Sequence, residues 1–128
     1  MGVALLALAV ASAAQAGGAW HVIARASTSN GPAGMALVPI VQVRHPHALA
    51  MRVVAPPNRR LLGNWAVSCS PSNRTISGEF RWTSSSRPMF RVLRRAMGGP
   101  ARCVVSAVWA QFTDTNPTGE IRLQLLKR

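Results

Sequence analysis

Most of the chain alternates apolar and polar residues with a period of two, and clusters of Pro, Gly, Asn and Ser interrupt the alternation. That period sends successive side chains to opposite faces of an extended strand. A first strand is predicted over 20–26, with Trp20, Val22 and Ala24 sharing a face. The stretch 27–34 (STSNGPAG) is a loop by composition. A second strand is predicted over 35–44. Pro39 lies inside it, which marks an edge or bulged strand because proline cannot donate to a ladder. His45-Pro46-His47 makes the next turn. Leu49, Met51 and Val53 then alternate with Ala50 and Arg52, until Pro56-Pro57-Asn58 breaks the strand.

The second half repeats the pattern more cleanly. Trp65, Val67 and Cys69 form one face of a strand, and Ile76, Gly78, Phe80 and Trp82 one face of the next. Phe90 and Val92 alternate with Arg91, although the arginines of 89–97 would also line one side of a helix. Cys103, Val105, Ala107 and Trp109 define one face of a long strand and Val104, Val108 and Phe112 the other, so both faces read as covered. Ile121, Leu123 and Leu125 alternate with Arg122 and Gln124 in a last strand. Eight short strands without intervening helices point to an antiparallel β-sandwich or barrel rather than a parallel α/β sheet.

The N-terminus breaks the pattern. Residues 3–11 are apolar and uncharged, and Ala14-Gln15-Ala16 presents small residues where a signal peptidase reads them. Residues 1–16 are therefore expected to be a signal peptide, and 17–128 a single secreted domain. No Lys or Arg precedes Val3, so the free amino terminus supplies the leading charge or the start lies upstream. No apolar run is long enough to remain as a membrane span.

Export decides how the two cysteines are read. In an oxidising compartment Cys69 and Cys103 should pair. Closing a loop of about 35 residues is worth about 3.8 kcal/mol in the chain-entropy model. Neither thiol has a His, Asp or second Cys close in sequence, which argues against a reactive or metal-binding role. The spacing of Cys69, Trp82 and Cys103 resembles the immunoglobulin arrangement, in which a tryptophan packs on a disulfide joining two sheets. The departures are the lack of any Tyr and the room for only one strand between Trp82 and Cys103. The expected fold is an all-β, loosely immunoglobulin-like sandwich with one disulfide, whose bridge staples the two layers.

Residues 55–128 also resemble small exported proteins of high-GC bacteria that have no assigned role. The matching features are A-P-P at 55–57, G-N-W-A-V-S-C at 63–69, R-V-L-R-R at 91–95, C-V-V-S-A at 103–107 and G-E-I-R-L-Q-L-L-K-R at 119–128. This resemblance implies a secreted β domain and no catalytic residues.

Composition then narrows the chemistry. Fifteen basic side chains stand against three acidic ones, a formal charge of +12, while hydrophobic residues reach 48%. The chain is thus apolar enough for a packed core and basic enough to attract polyanions. Arg59, Arg60, Arg81, Arg91, Arg94, Arg95 and Arg122 are the candidate polyanion-binding residues, with Arg81, Arg91 and Arg122 at outward strand positions. Guanidinium groups bind phosphate and carboxylate in bidentate fashion. The competing explanation is that arginine, 14 to one over lysine, reflects GC-rich codons and only keeps the domain soluble.

Other candidates carry less. Trp65, Trp82 and Trp109 share parity with core positions, leaving Trp20 as the best exposed stacking residue. His45 and His47 form an H-x-H, joined at most by His21, but Pro46 favours a turn over a metal site. Glu79, Asp114 and Glu120 are the only acids, and no G-x-S-x-G elbow is present. The sequence therefore predicts a noncatalytic exported domain without cofactor or metal, binding an anionic cell-envelope polymer rather than nucleic acid. The alternatives are an interaction module using the Val104, Val108 and Phe112 face or the Pro39 edge, and a small hydrolase built on Glu79 and Glu120.

Overall fold

The computed structural model describes residues 19–29, 34–95, 102–113 and 119–128. Residues 1–16, expected from sequence to be a signal peptide, and Asp114 lie outside these residues. Nine strands run β1 (His21–Ser27), β2 (Met35–Val38), β3 (Val41–Arg44), β4 (Leu49–Val54), β5 (Arg60–Cys69), β6 (Arg74–Thr83), β7 (Met89–Arg94), β8 (Arg102–Phe112) and β9 (Arg122–Lys127). They form two antiparallel sheets. The first is ordered β1-β9-β4-β7, and the second β2-β8-β5-β6 with β3 also on β8. The expected all-β sandwich is present. The predicted 35–44 strand is two strands on the same edge of the second sheet, parted at Pro39. The arginine-rich stretch after 89 is strand through Arg94, not helix.

The core lies between the layers. Met51, Val53, Leu123 and Leu125 of the first sheet meet Leu61, Trp65, Val67, Val105 and Val108 of the second, all buried. Each such side chain removed from water contributes about 1.5–3 kcal/mol. Two cross-strand pairs in the β5–β6 hairpin join an aromatic ring to a glycine: Gly63 opposes Phe80 and Trp65 opposes Gly78. A Cβ on Gly63 would run into the Phe80 ring and stand 2.6 Å from the Trp109 carbonyl oxygen. Each ring lies over backbone that only glycine leaves bare. Ser84, the buried polar residue after β6, accepts from the Arg59 amide at 2.9 Å and donates to the Pro56 carbonyl. It ties the β4–β5 turn to the end of β6.

Three irregularities redirect side chains. In the β5–β8 ladder Ala66 opposes Ala107 while Val67 opposes Val105, so Ser106 is an extra residue. A bulge turns every later side chain to the other face. Cys103 and Val105 point inward as expected, but beyond the bulge Val108 and Ala110 are buried, and Ala107 and Trp109 face out. The first strand has the same device: Ile23 is skipped between the pairs Val22–Leu126 and Ala24–Leu125. Trp20 and Val22 therefore lie on the outer face and Ala24 on the inner one. A third shift separates Leu49 from Ala50 in the β4–β7 ladder.

The disulfide forms between Cys69 and Cys103, but not between the layers. These residues face each other directly on β5 and β8, neighbours in the second sheet, with Cα atoms 4.0 Å apart. The bridge reinforces one ladder, and the two sheets are held together by apolar packing.

Candidate functional site

The seven arginines singled out from sequence do not form one patch. Arg60 and Arg81 lie together on the second sheet, lining a shallow cleft of about 190 Å³. Arg59 places its guanidinium 4.3 Å from the centre of the Phe112 ring. Arg94 and Arg95 sit at the end of β7. Arg91 is not on an outer face. It opposes core residue Met51, and because β7 is an edge strand it looks into the open margin between the sheets. There its Nη1 donates to the Glu79 carbonyl at 3.4 Å. Arg122 is on the outer face of the first sheet, 3.6 Å from Glu120.

That outer face holds an arrangement the sequence did not expose. Arg25 opposes Gln124 on β9, Gln124 opposes Arg52 on β4, and Arg52 opposes Phe90 on β7. The four residues form one row across all four strands. Strand spacing puts Arg25 and Arg52 about 10 Å apart. Arg52 donates from Nη1 to Gln124 Oε1 at 3.1 Å, and its guanidinium carbon stands 5.9 Å from the Phe90 ring centre. An open groove of about 440 Å³ follows β1 and β9, lined by Arg25, Ser27, Glu120, Arg122 and Gln124. The alternation marks Arg52 and Gln124 as opposite in parity to their apolar neighbours, whereas reading Arg91 as outward places Phe90 on the wrong face. The pairing order that aligns the row is not legible in the sequence.

Beside the row, Val22, Leu126, Ala50 and Val92 make a parallel apolar row on the same face, and Ala50 and Leu126 are fully buried. Trp20 lies on the same face. Its ring reaches Phe90 edge-on, and Arg128 holds its guanidinium 4.8 Å from the Trp20 ring centre. Trp20 is thus a half-buried cover for the sheet rather than an exposed platform. Trp65 is in the core, Trp82 packs half-buried against it, and Trp109 lies half-buried on the outer face of the second sheet because of the Ser106 bulge.

Electrostatics set the polarity of the groove. Glu120 closes one end, accepting a hydrogen bond from the Ser29 hydroxyl at 2.9 Å. The serine hydroxyls of Ser29 and Ser27, and then the Arg122 guanidinium, hold its carboxyl below the usual glutamate value. The Arg25–Gln124–Arg52–Phe90 row, which leaves the groove across β4 and β7, contains no acidic side chain.

The remaining candidates separate. Glu79 opposes Asn64 in the second sheet, whereas Glu120 adjoins β9 in the first, so the two carboxylates do not share a cleft. His21 pairs with Lys127 at the start of β1, while His45 and His47 sit in the β3–β4 turn. Among the described residues no three His, Cys, Asp or Glu side chains gather as a metal site would require. The proposed interaction face of Val104, Val108 and Phe112 does not exist as one surface, since Val108 is fully buried in the core.

By class the chain is an all-β antiparallel sandwich with an intrasheet disulfide and a basic outer face. No protein-family model, curated protein or solved structure matches it.

Proposed function

We propose that the protein is a noncatalytic exported β domain that acts at the cell envelope by binding an anionic polymer through surface arginines. One observation carries this reading. Fifteen cations share a chain with three acidic side chains, and most of the arginines stand at exposed positions, distributed over both sheets of a sandwich whose core is apolar. Three carboxylates cannot neutralise that charge, so the surface potential attracts polyanions. The leader-like segment 1–16 supports export. The Cys69–Cys103 bridge is compatible with an oxidising compartment, and no helix among the described residues is long and apolar enough to cross a membrane.

The test is a salt titration of binding to teichoic acid or to DNA as a model polyanion. Affinity should fall steeply as salt rises. Absence of binding, or affinity indifferent to salt, overturns the reading. A salt-indifferent protein partner would favour the second reading, an interaction module at the edge formed by β2 and β3, where Ile40 is 70% exposed beside Pro39. Sequencing the secreted form should find Gly17 at its amino terminus.

A further inference from the structure

Building on the proposed polyanion binding, we infer that the outer face of the first sheet docks an acidic polysaccharide, a chain of hexuronic acids lying across the strands. The Arg25–Gln124–Arg52–Phe90 row presents three chemistries in register. Guanidiniums at Arg25 and Arg52 match carboxylates through paired N–H donors. Gln124 gives its carbonyl oxygen to Arg52, which leaves its amide N–H groups to donate to hydroxyl or carboxylate oxygens between the two arginines. Phe90, 42% exposed at the end of the row, offers an apolar surface for the C–H face of a sugar ring.

A hexuronate chain uses all three chemistries. A glycerol-phosphate polymer would engage the arginines and leave Phe90 idle. A single-stranded nucleic acid stacks successive bases on several aromatic faces, whereas the row supplies one aromatic ring, Phe90, at its end. The site is an open face rather than a closed cavity, which suits an extended polymer.

The charges around the row set its direction. Arg25 and Arg52 stand two strands apart with like charge, and an anion lodged between them relieves their repulsion. At the far end of the groove Glu120 repels an anion and engages Arg122 at 3.6 Å. The ligand is thereby directed across β9 and β4 toward Phe90, and Arg122 drops out of the contact set.

The experiment measures binding of the purified protein to polygalacturonate, inorganic polyphosphate and oligo-dT by calorimetry, with melting temperatures recorded in parallel. Polygalacturonate should bind most tightly. The double variant Arg25→Gln/Arg52→Gln should lose about tenfold or more in its affinity for this polymer, and clearly more than Arg60→Gln/Arg81→Gln, which removes equal charge from the other sheet. Phe90→Leu should weaken polygalacturonate binding and spare polyphosphate. Arg52→Lys keeps the charge and removes the guanidinium fork, so it should cost polygalacturonate affinity even if the double variant fails to fold. Equal losses from the two arginine pairs, equal effects of Phe90→Leu on both polymers, or preferred binding of polyphosphate or oligo-dT overturn this inference and leave the proposed function standing. If the unaltered protein binds none of the three, both fall.

Discussion

Trp20 and Phe90 meet edge to face, with ring centroids 5.4 Å apart and planes at 70°, although they belong to opposite edges of the first sheet. Trp20 precedes β1 and Phe90 is on β7, with β9 and β4 between. Three strand spacings amount to about 14 Å, so the two side chains reach toward each other over β9 and β4 on the outer face. Leu126 and Ala50, on the same face of the two intervening strands, are buried.

Removing Trp20 should therefore do more than trim an end. Trp20→Ala should cost about 2 kcal/mol, roughly half the cost of emptying a fully buried tryptophan site. Paired with Phe90→Ala in a double-mutant cycle, it should show a coupling of about 0.5–1.5 kcal/mol. Denaturant unfolding of the four proteins provides the measurement. Additive losses would mean that the rings share no interaction.

The period-two alternation made most strands legible, because wherever a ladder is regular the parity of one residue sets the parity of the rest. Leu49, Met51 and Val53 point inward as read, and so do Trp65, Val67 and Cys69. Legibility failed at single inserted residues. Ser106 and Ile23 look like ordinary strand members, and only the partner strand reveals that they are skipped. For that reason Trp109 faces outward, and Ala24 parts from the face that Trp20 and Val22 share. The candidate site was legible only in its parts. Arg52 and Gln124 each alternate with apolar neighbours, but they are 72 positions apart in sequence, and nothing local specifies that β9 inserts between β1 and β4.

The location of the disulfide changes what its loss should do. Cys69 and Cys103 cap the β5–β8 ladder next to a second tie, in which Ser70 and Arg102 exchange hydrogen bonds of 2.8 and 3.0 Å. Reduction should cost about 2–4 kcal/mol through the released chain entropy. The sheets should nevertheless stay packed, because the core between them carries no covalent tie. Cys69→Ala/Cys103→Ala should lower the denaturation midpoint while keeping a native far-ultraviolet spectrum and one cooperative transition. A variant that unfolds at every temperature would show that the bridge does more than support one ladder.

Gly63 should reverse an ordinary expectation. A glycine within a strand is usually weaker than alanine by about 0.5–1 kcal/mol, so Gly63→Ala would normally stabilise. Here the new methyl meets the buried Phe80 ring and the Trp109 carbonyl, which belongs to the backbone and cannot swing away. Overpacking of this kind costs about 1–3 kcal/mol. A lower melting temperature is expected, and the sign of the change decides the matter. Gly78→Ala, whose Cβ would lie 2.8 Å from the Trp65 ring, should also be destabilising.

Glu120 should make the protein sensitive to acid in a defined direction. Hydrogen bonds from Ser29 and Ser27, followed by the charge of Arg122, favour its ionised form and lower its folded pKa. A carboxyl with a folded pKa below its unfolded one contributes stability that is fully present above the unfolded value. That contribution is lost as pH falls through the folded value, and nothing from this group changes on the alkaline side. Urea midpoints measured down a pH series should fall across this acid window for the native protein. Glu120→Gln should flatten this part of the dependence, because a neutral amide can still meet Ser29 but has no charge to lose. Parallel pH curves for the two proteins would show that the Ser29–Glu120 contact does not persist in solution. The closed end of the basic groove would then be open, and Arg122 would rejoin the cationic row beside Arg25.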